Sequence, residues 1–178
     1  MRKVIVVLLL AIVPFSGFSQ SIFDKFEDME DVGAVIINKG MIDLIATMGD
    51  GHGDAEAQEF IDMAKNLNGL KIFTTEDAAA ASKMSDAVKK HLRSASLEEL
   101  MRVKDKDVNV KFYIKNGKRK DHVSELLMFV SGMKDLKVEG RNFETVLVSI
   151  TGDIDLNKIG TLTKKMNLPE EMKKAGGK

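Results

Sequence analysis

Residues 108–132 read "VNVKFYIKNGKRKDHVSELLMFVSG". Val108, Val110, Phe112 and Ile114 alternate with polar neighbours, the period-two signature of a strand with one buried face. Asn116-Gly117 then marks a turn, and Val123 to Val130 supplies a second apolar strand. This hairpin commits the second half of the chain to a sheet. Downstream, "RNFETVLVSITGDIDL" (141–156) repeats the alternation through Val146, Val148 and Ile150. Upstream, "SASLEELMRVKDKD" (94–107) reads two ways. Ser96 and Glu99 form a capping-box pattern that suits a helix, whereas Met101, Val103 and the alternating charges suit an exposed edge strand. Because a meander follows, a strand is expected from about Glu99 to Lys104.

The first half is more helical. Val32 to Ile37 is a β-branched run that reads as a buried strand, broken at Gly40. Met41, Ile42, Leu44 and Ile45 then suit a short helix. "AEAQEFIDMAKNLNG" (55–69) places Ala57, Phe60, Ile61, Ala64 and Leu67 on one helical face, with Asn68-Gly69 as its stop. "LKIFTT" (70–75) reads as a short strand. "EDAAAASKMSDAVKKHLRS" (76–94) is an amphipathic helix with Asp77 as N-cap and Ala81, Met84, Val88 and Leu92 on its apolar stripe. A final helix is expected after Asp155, with Leu156, Ile159, Leu162 and Met166 facing inward. The expected fold is therefore α+β, one domain over residues 20–167. It has an antiparallel or mixed sheet, a C-terminal β-meander and helices packed mainly on one face. The other face is the natural place for a partner or a lipid-like ligand. Residues 168–178 form a charged, glycine-ended tail expected to fray.

The N-terminus, "MRKVIVVLLLAIVPFSGFSQ", has the grammar of an export signal. Arg2 and Lys3 precede an apolar run from Val4 to Phe15, and Gly17-Phe18-Ser19 gives the small-x-small cleavage pattern. Cleavage is expected between Ser19 and Gln20. The apolar run falls short of the ~20 residues that span a bilayer and is broken by Pro14, so no transmembrane segment is expected in the mature chain. With no cysteine in the sequence, lipidation at the cut is excluded, as are disulfides, thiolate nucleophiles and zinc ribbons. The 178 residues carry 27 Lys and Arg against 27 Asp and Glu. Such a balance provides no field to gather nucleic acid. Eleven Met, one Tyr and no Trp describe an aliphatic interior without stacking platforms.

Four stretches could carry chemistry. "GDGHGD" (49–54) brings Asp50, His52 and Asp54 together as a candidate metal loop. Counted from Asp50, a calcium loop requires Gly at position six and Glu at twelve, where the chain has Ala55 and Ile61. Zinc would need His91 or His122 as further ligands. Glycine turns with Asp54 as a helix N-cap account for the loop without a metal. "DHVSE" (121–125) assembles Asp121, His122, Ser124 and Glu125, the parts of a hydrolase, but its Ser lies in a strand with no G-x-S-x-G around it. His91 reads as a half-exposed packing residue. "KNGKRK" (115–120) is a basic hairpin tip able to touch phosphate, and Asp153 and Asp155 in "TGDID" read as a strand, turn and cap. No catalytic, cofactor-binding or metal site is assigned, and Asp50, His52 and Asp54 are the residues to test first.

The segments "SLEELMRVKDKDVNVKFYIK", "HVSELLMFVSG" and "VLVSITGDIDLNKIGTLTKKMN", behind a leader ending "GFSQ", resemble exported Bacteroidetes proteins known as domain of unknown function 4252. The resemblance runs from about Phe23 to Asn167. It implies an envelope protein, often encoded near extracytoplasmic-function sigma factors, and carries no catalytic residues with it. Many such relatives look like lipoproteins; this chain lacks the signal Cys and departs from them. The expectation is a periplasmic or secreted, non-enzymatic binding or protein-interaction module, with an envelope protein or a small apolar ligand as partner and no cofactor. The alternatives are a carrier of a lipid-like ligand and a hydrolase built on His122 or the Asp/His loop.

Overall fold

The computed structural model describes residues 21–49, 55–133, 137–138 and 141–158. The signal segment, the cleavage pair Ser19 and Gln20, the loop residues Asp50, His52 and Asp54, and the tail at 168–178 lie outside the described residues. Of the expected final helix, the described part is a short 3-10 turn, Leu156–Lys158. Asp155 does cap it, its Oδ1 accepting from the Asn157 N–H at 2.9 Å.

The core is a six-stranded sheet in the order β1-β2-β8-β5-β4-β3. Its strands are β1 (Gly33–Asn38), β2 (Leu67–Thr75), β3 (Glu98–Asp105), β4 (Val108–Asn116), β5 (His122–Ser131) and β8 (Thr145–Asp155). Every neighbouring pair is antiparallel. A separate two-stranded ribbon joins β6 (Lys137–Val138) to β7 (Arg141–Asn142). The helices are α1 (Lys39–Gly49), α2 (Ala55–Ala64) and α3 (Ala78–Ala95).

Side chains alternate across the strands and divide into two apolar clusters. Phe73, Tyr113, Leu127, Phe129 and Leu147 lie on one face, packed with Ala80, Met84, Ala87 and Val88 of α3 and with Phe23 and Phe26. Leu126, Met128, Val130, Val148 and Ile150 lie on the other, joined by Ile42 of α1 and flanked by Ala64 of α2. The helices therefore divide between the two clusters, where the sequence suggested one face. Phe23 and Phe26 come from a 3-10 turn (Asp24–Phe26) ahead of β1. Phe26 meets Phe73 edge-on, with centroids 5.9 Å apart.

Three local expectations change. β1 forms, but it is mostly exposed and lies at the sheet edge: among the described residues only β2 pairs with it. Gly40 does not break the chain there; it sits in the first turn of α1. Helix α2 stops at Ala64 and Asn68-Gly69 belongs to β2, whose pairing with β8 shifts between Leu67 and Gly69. The shift is met by Gly152, at φ +145° inside β8, where a Cβ would lie 2.5 Å from the Asn66 carbonyl oxygen. No side chain fits so close a backbone approach, so "TGD" is strand, not turn.

The ambiguous stretch is strand β3. Ser96 does not open a helix; it closes α3 as a left-handed C-cap at φ +56°, its N–H bonded to the Leu92 carbonyl. At the start of α3, Asp77 caps as expected, accepting from Ala80 N at 2.7 Å.

Candidate functional site

The five residues of "DHVSE" are separated by the fold. His122 opens β5 opposite Asp155, and its Nδ1 lies 2.8 Å from Oδ1 of Asp153 on β8. Arg119, from the basic hairpin loop, binds the other oxygen of the same carboxylate. Its hydrogen bond is the main reason the Asp153 pKa falls below the usual Asp range, with His122 adding to it. Ser124 Oγ is 3.3 Å from the carbonyl oxygens of Lys115 and Asn116 and donates to the β4 backbone. Glu125 pairs with neither His122 nor Ser124. A Ser activated by His122 is not what this arrangement builds.

Glu125 reaches α3, where its Oε1 lies 2.7 Å from Nε2 of His91. Both side chains are largely buried, at 18% and 10% exposure, and the ring of Phe23 meets the imidazole edge-on at 5.0 Å. His91 is thus a packing residue, as its sequence suggested, with a carboxylate partner that was not foreseen. The strand period did contain the signal. Glu125 stands two residues before Leu127 and four before Phe129, on the face they bury.

A cleft of about 470 Å³ lies at the other end of β8, where β2 hands over to α3. Glu30, Asp31, Glu76, Asp77, Thr74, Thr75 and Phe143 line it. Thr75 is its buried floor, donating to the Asp31 carbonyl at 2.6 Å and accepting from the Asp77 N–H at 3.1 Å. Among the described residues, no group of three His, Asp or Glu side chains converges as a metal site. The acids come from segments over forty residues apart in the sequence, so only the fold reveals the cleft. Its carboxylate lining does not suit an apolar ligand.

Among the described residues, exposed large apolar side chains gather at the β1 edge. Val35 and Ile36 are 52% and 40% exposed, and Met41, Leu44, Ile45 and Met48 of α1 are 49% to 71% exposed. Residues 41, 44, 45 and 48 share one flank of a helix. Only Ile42 and Ala46 of α1 are buried. On the opposite flank, Lys39 is tied to Asp43 at 2.6 Å and to the Lys65 carbonyl at 2.8 Å. The other sheet edge, β3, carries Glu98, Glu99, Arg102, Lys104 and Asp105, with Arg102 bridging Glu99 at 2.6 Å. Charge and a register shift between Glu99 and Met101 guard that edge; β1 has neither.

Among the described residues, no helix is long and apolar enough to cross a membrane. No curated protein and no solved structure matches the chain. A family model does, over residues 26–162, a span holding the whole sheet, both histidine pairs and the apolar flank. The chain belongs to the family described as Domain of unknown function (DUF4252).

Proposed function

We infer that the protein is a non-enzymatic interaction module, exported to the cell envelope, that docks its partner on the β1–α1 flank. The observation that carries this reading is the contrast between the two sheet edges. Among the described residues the outer side of β1 is unpaired and the strand uncharged; such an edge offers backbone N–H and C=O groups to an added strand, and neighbouring apolar side chains supply contact area. His91, His122 and Ser124 each have an intramolecular partner, which supports a structural role for them over a hydrolytic one. The leader grammar of residues 1–19 supports export, with the mature chain beginning at Gln20.

The test compares captures from the native envelope by the unsubstituted protein, by Ile36→Lys and by Leu100→Lys at the opposite edge. Partners should be lost with Ile36→Lys and kept with Leu100→Lys, and intact-mass measurement should show an N-terminus at Gln20. Equal retention by all three proteins would remove the reading.

A further inference from the structure

We propose that the occupant of the β1 edge is a second copy of this chain, paired strand to strand about a two-fold axis. This rests on the reading of that flank as a docking surface and names its partner. Antiparallel addition of β1 to its own copy keeps each face of the sheet on its own side. Val35 shares a face with Ile72, and Ile36 shares the other with Lys71. Val35 therefore meets Val35 or Ile37 of the second copy, and Ile36 meets Ala34 or Ile36. No residue of Gly33–Asn38 is charged, so the pairing desolvates no ion. Pairing β1 with the β3 edge of another copy would set apolar side chains against exposed Glu98, Arg102 and Lys104. It would also propagate as an open filament, whereas the β1–β1 contact closes.

The apolar surface points the same way. Six large apolar side chains of β1 and α1 are 40% to 71% exposed, and exposed apolar surface gathered at one edge marks an interaction site. A standard interface buries about 800 Å² per partner, and the backbone of a six-residue strand adds to the side-chain total. Because α1 follows β1 with no intervening residue, the same two-fold sets both copies of α1 on one face of the joined sheet.

The absence of cysteine allows a clean geometric test. Residues opposite their own copy in an antiparallel pair have Cα atoms about 4.5–5.5 Å apart, within disulfide reach. Protein purified from its native host should sediment at twice the chain mass, and Ile36→Lys should return it to the monomer with an unchanged circular dichroism spectrum. Mild oxidation should cross-link Val35→Cys or Ile36→Cys into a covalent dimer, while Leu100→Cys stays uncross-linked. A dimer that survives Ile36→Lys, or one cross-linked through Leu100→Cys instead, overturns the proposal. A monomeric protein that still captures envelope partners through an unsubstituted β1 also overturns it and leaves the docking reading standing. Monomeric protein whose captures ignore Ile36→Lys removes both. Sedimentation of the monomer with phosphatidylglycerol vesicles would assign the flank to lipid and overturn the second copy as occupant.

Discussion

Glu125 carries a carboxylate into the contact between α3 and the sheet, and His91 is what makes that position tolerable. A buried acceptor left without its donor costs about 1–3 kcal/mol, more than the pair itself contributes. His91→Leu should therefore destabilise the protein by about 1–3 kcal/mol, and adding Glu125→Leu should recover most of the loss. Chemical denaturation of both singles and the double closes the cycle; singles that simply add would show the contact to be incidental. The identity of His91 as a packing residue was legible from its place beside the stripe of α3. Its partner was not, because pairing a helix position with a strand position requires knowing how the two cross. The same holds for Arg119 and Asp153, which a sequence reading separates into a basic loop and a capped turn.

At the scale of elements, periodicity revealed most of the sheet, and the failures share a cause. β1 and β2 were misjudged where the strand pattern met residues with two uses. Asn68-Gly69 is a good helix stop and also a good bulge, and only the close approach of Gly152 to Asn66 decides for the bulge. Ser96 is the counterpart. Its hydroxyl and the Glu99 behind it resemble a helix start, yet the backbone there is left-handed and ends a helix. An L residue held at φ +56° is strained relative to glycine. Ser96→Gly should thus raise stability by roughly 0.5–1 kcal/mol, which is about 1–4 °C in Tm for a chain of this size. A melting curve that falls would mean the Ser96 side chain holds the α3–β3 corner in some other way.

Two groups on the face that α3 covers should make the stability of the whole molecule fall at alkaline pH. Burial raises the Tyr113 pKa, and the nearby Glu99 carboxylate adds to the effect. Around Lys71, burial works against the charge, but the hydrogen bonds its ammonium donates to Asp24 and Glu27, with their negative charge, outweigh it and raise the pKa. Both groups bind protons more tightly folded than unfolded. Their contributions are complete below the ordinary values of 10.0 and 10.5 and are lost as pH rises through the higher folded values. Thermal midpoints should therefore fall on going above about pH 10. Because Tyr113 is the single tyrosine, its ultraviolet titration reports the native value directly and should drop to the ordinary one in denaturant. Asp24→Asn with Glu27→Gln should lower stability at neutral pH and shrink the alkaline loss; an unchanged profile would assign that loss to other groups.

The order of the strands has a kinetic consequence. β8 is the last strand along the described chain and one of the two central strands of the sheet, with β2 on one side and β5 on the other. Until residues 145–155 arrive, the β1–β2 pair and the β3–β5 meander share no strand pairing, and each has an open edge waiting. Such long-range closure makes for slow folding and for a ribosome-bound chain that stays unclosed through most of its synthesis. This sheet is closed at its centre, by the last of its described strands to be made.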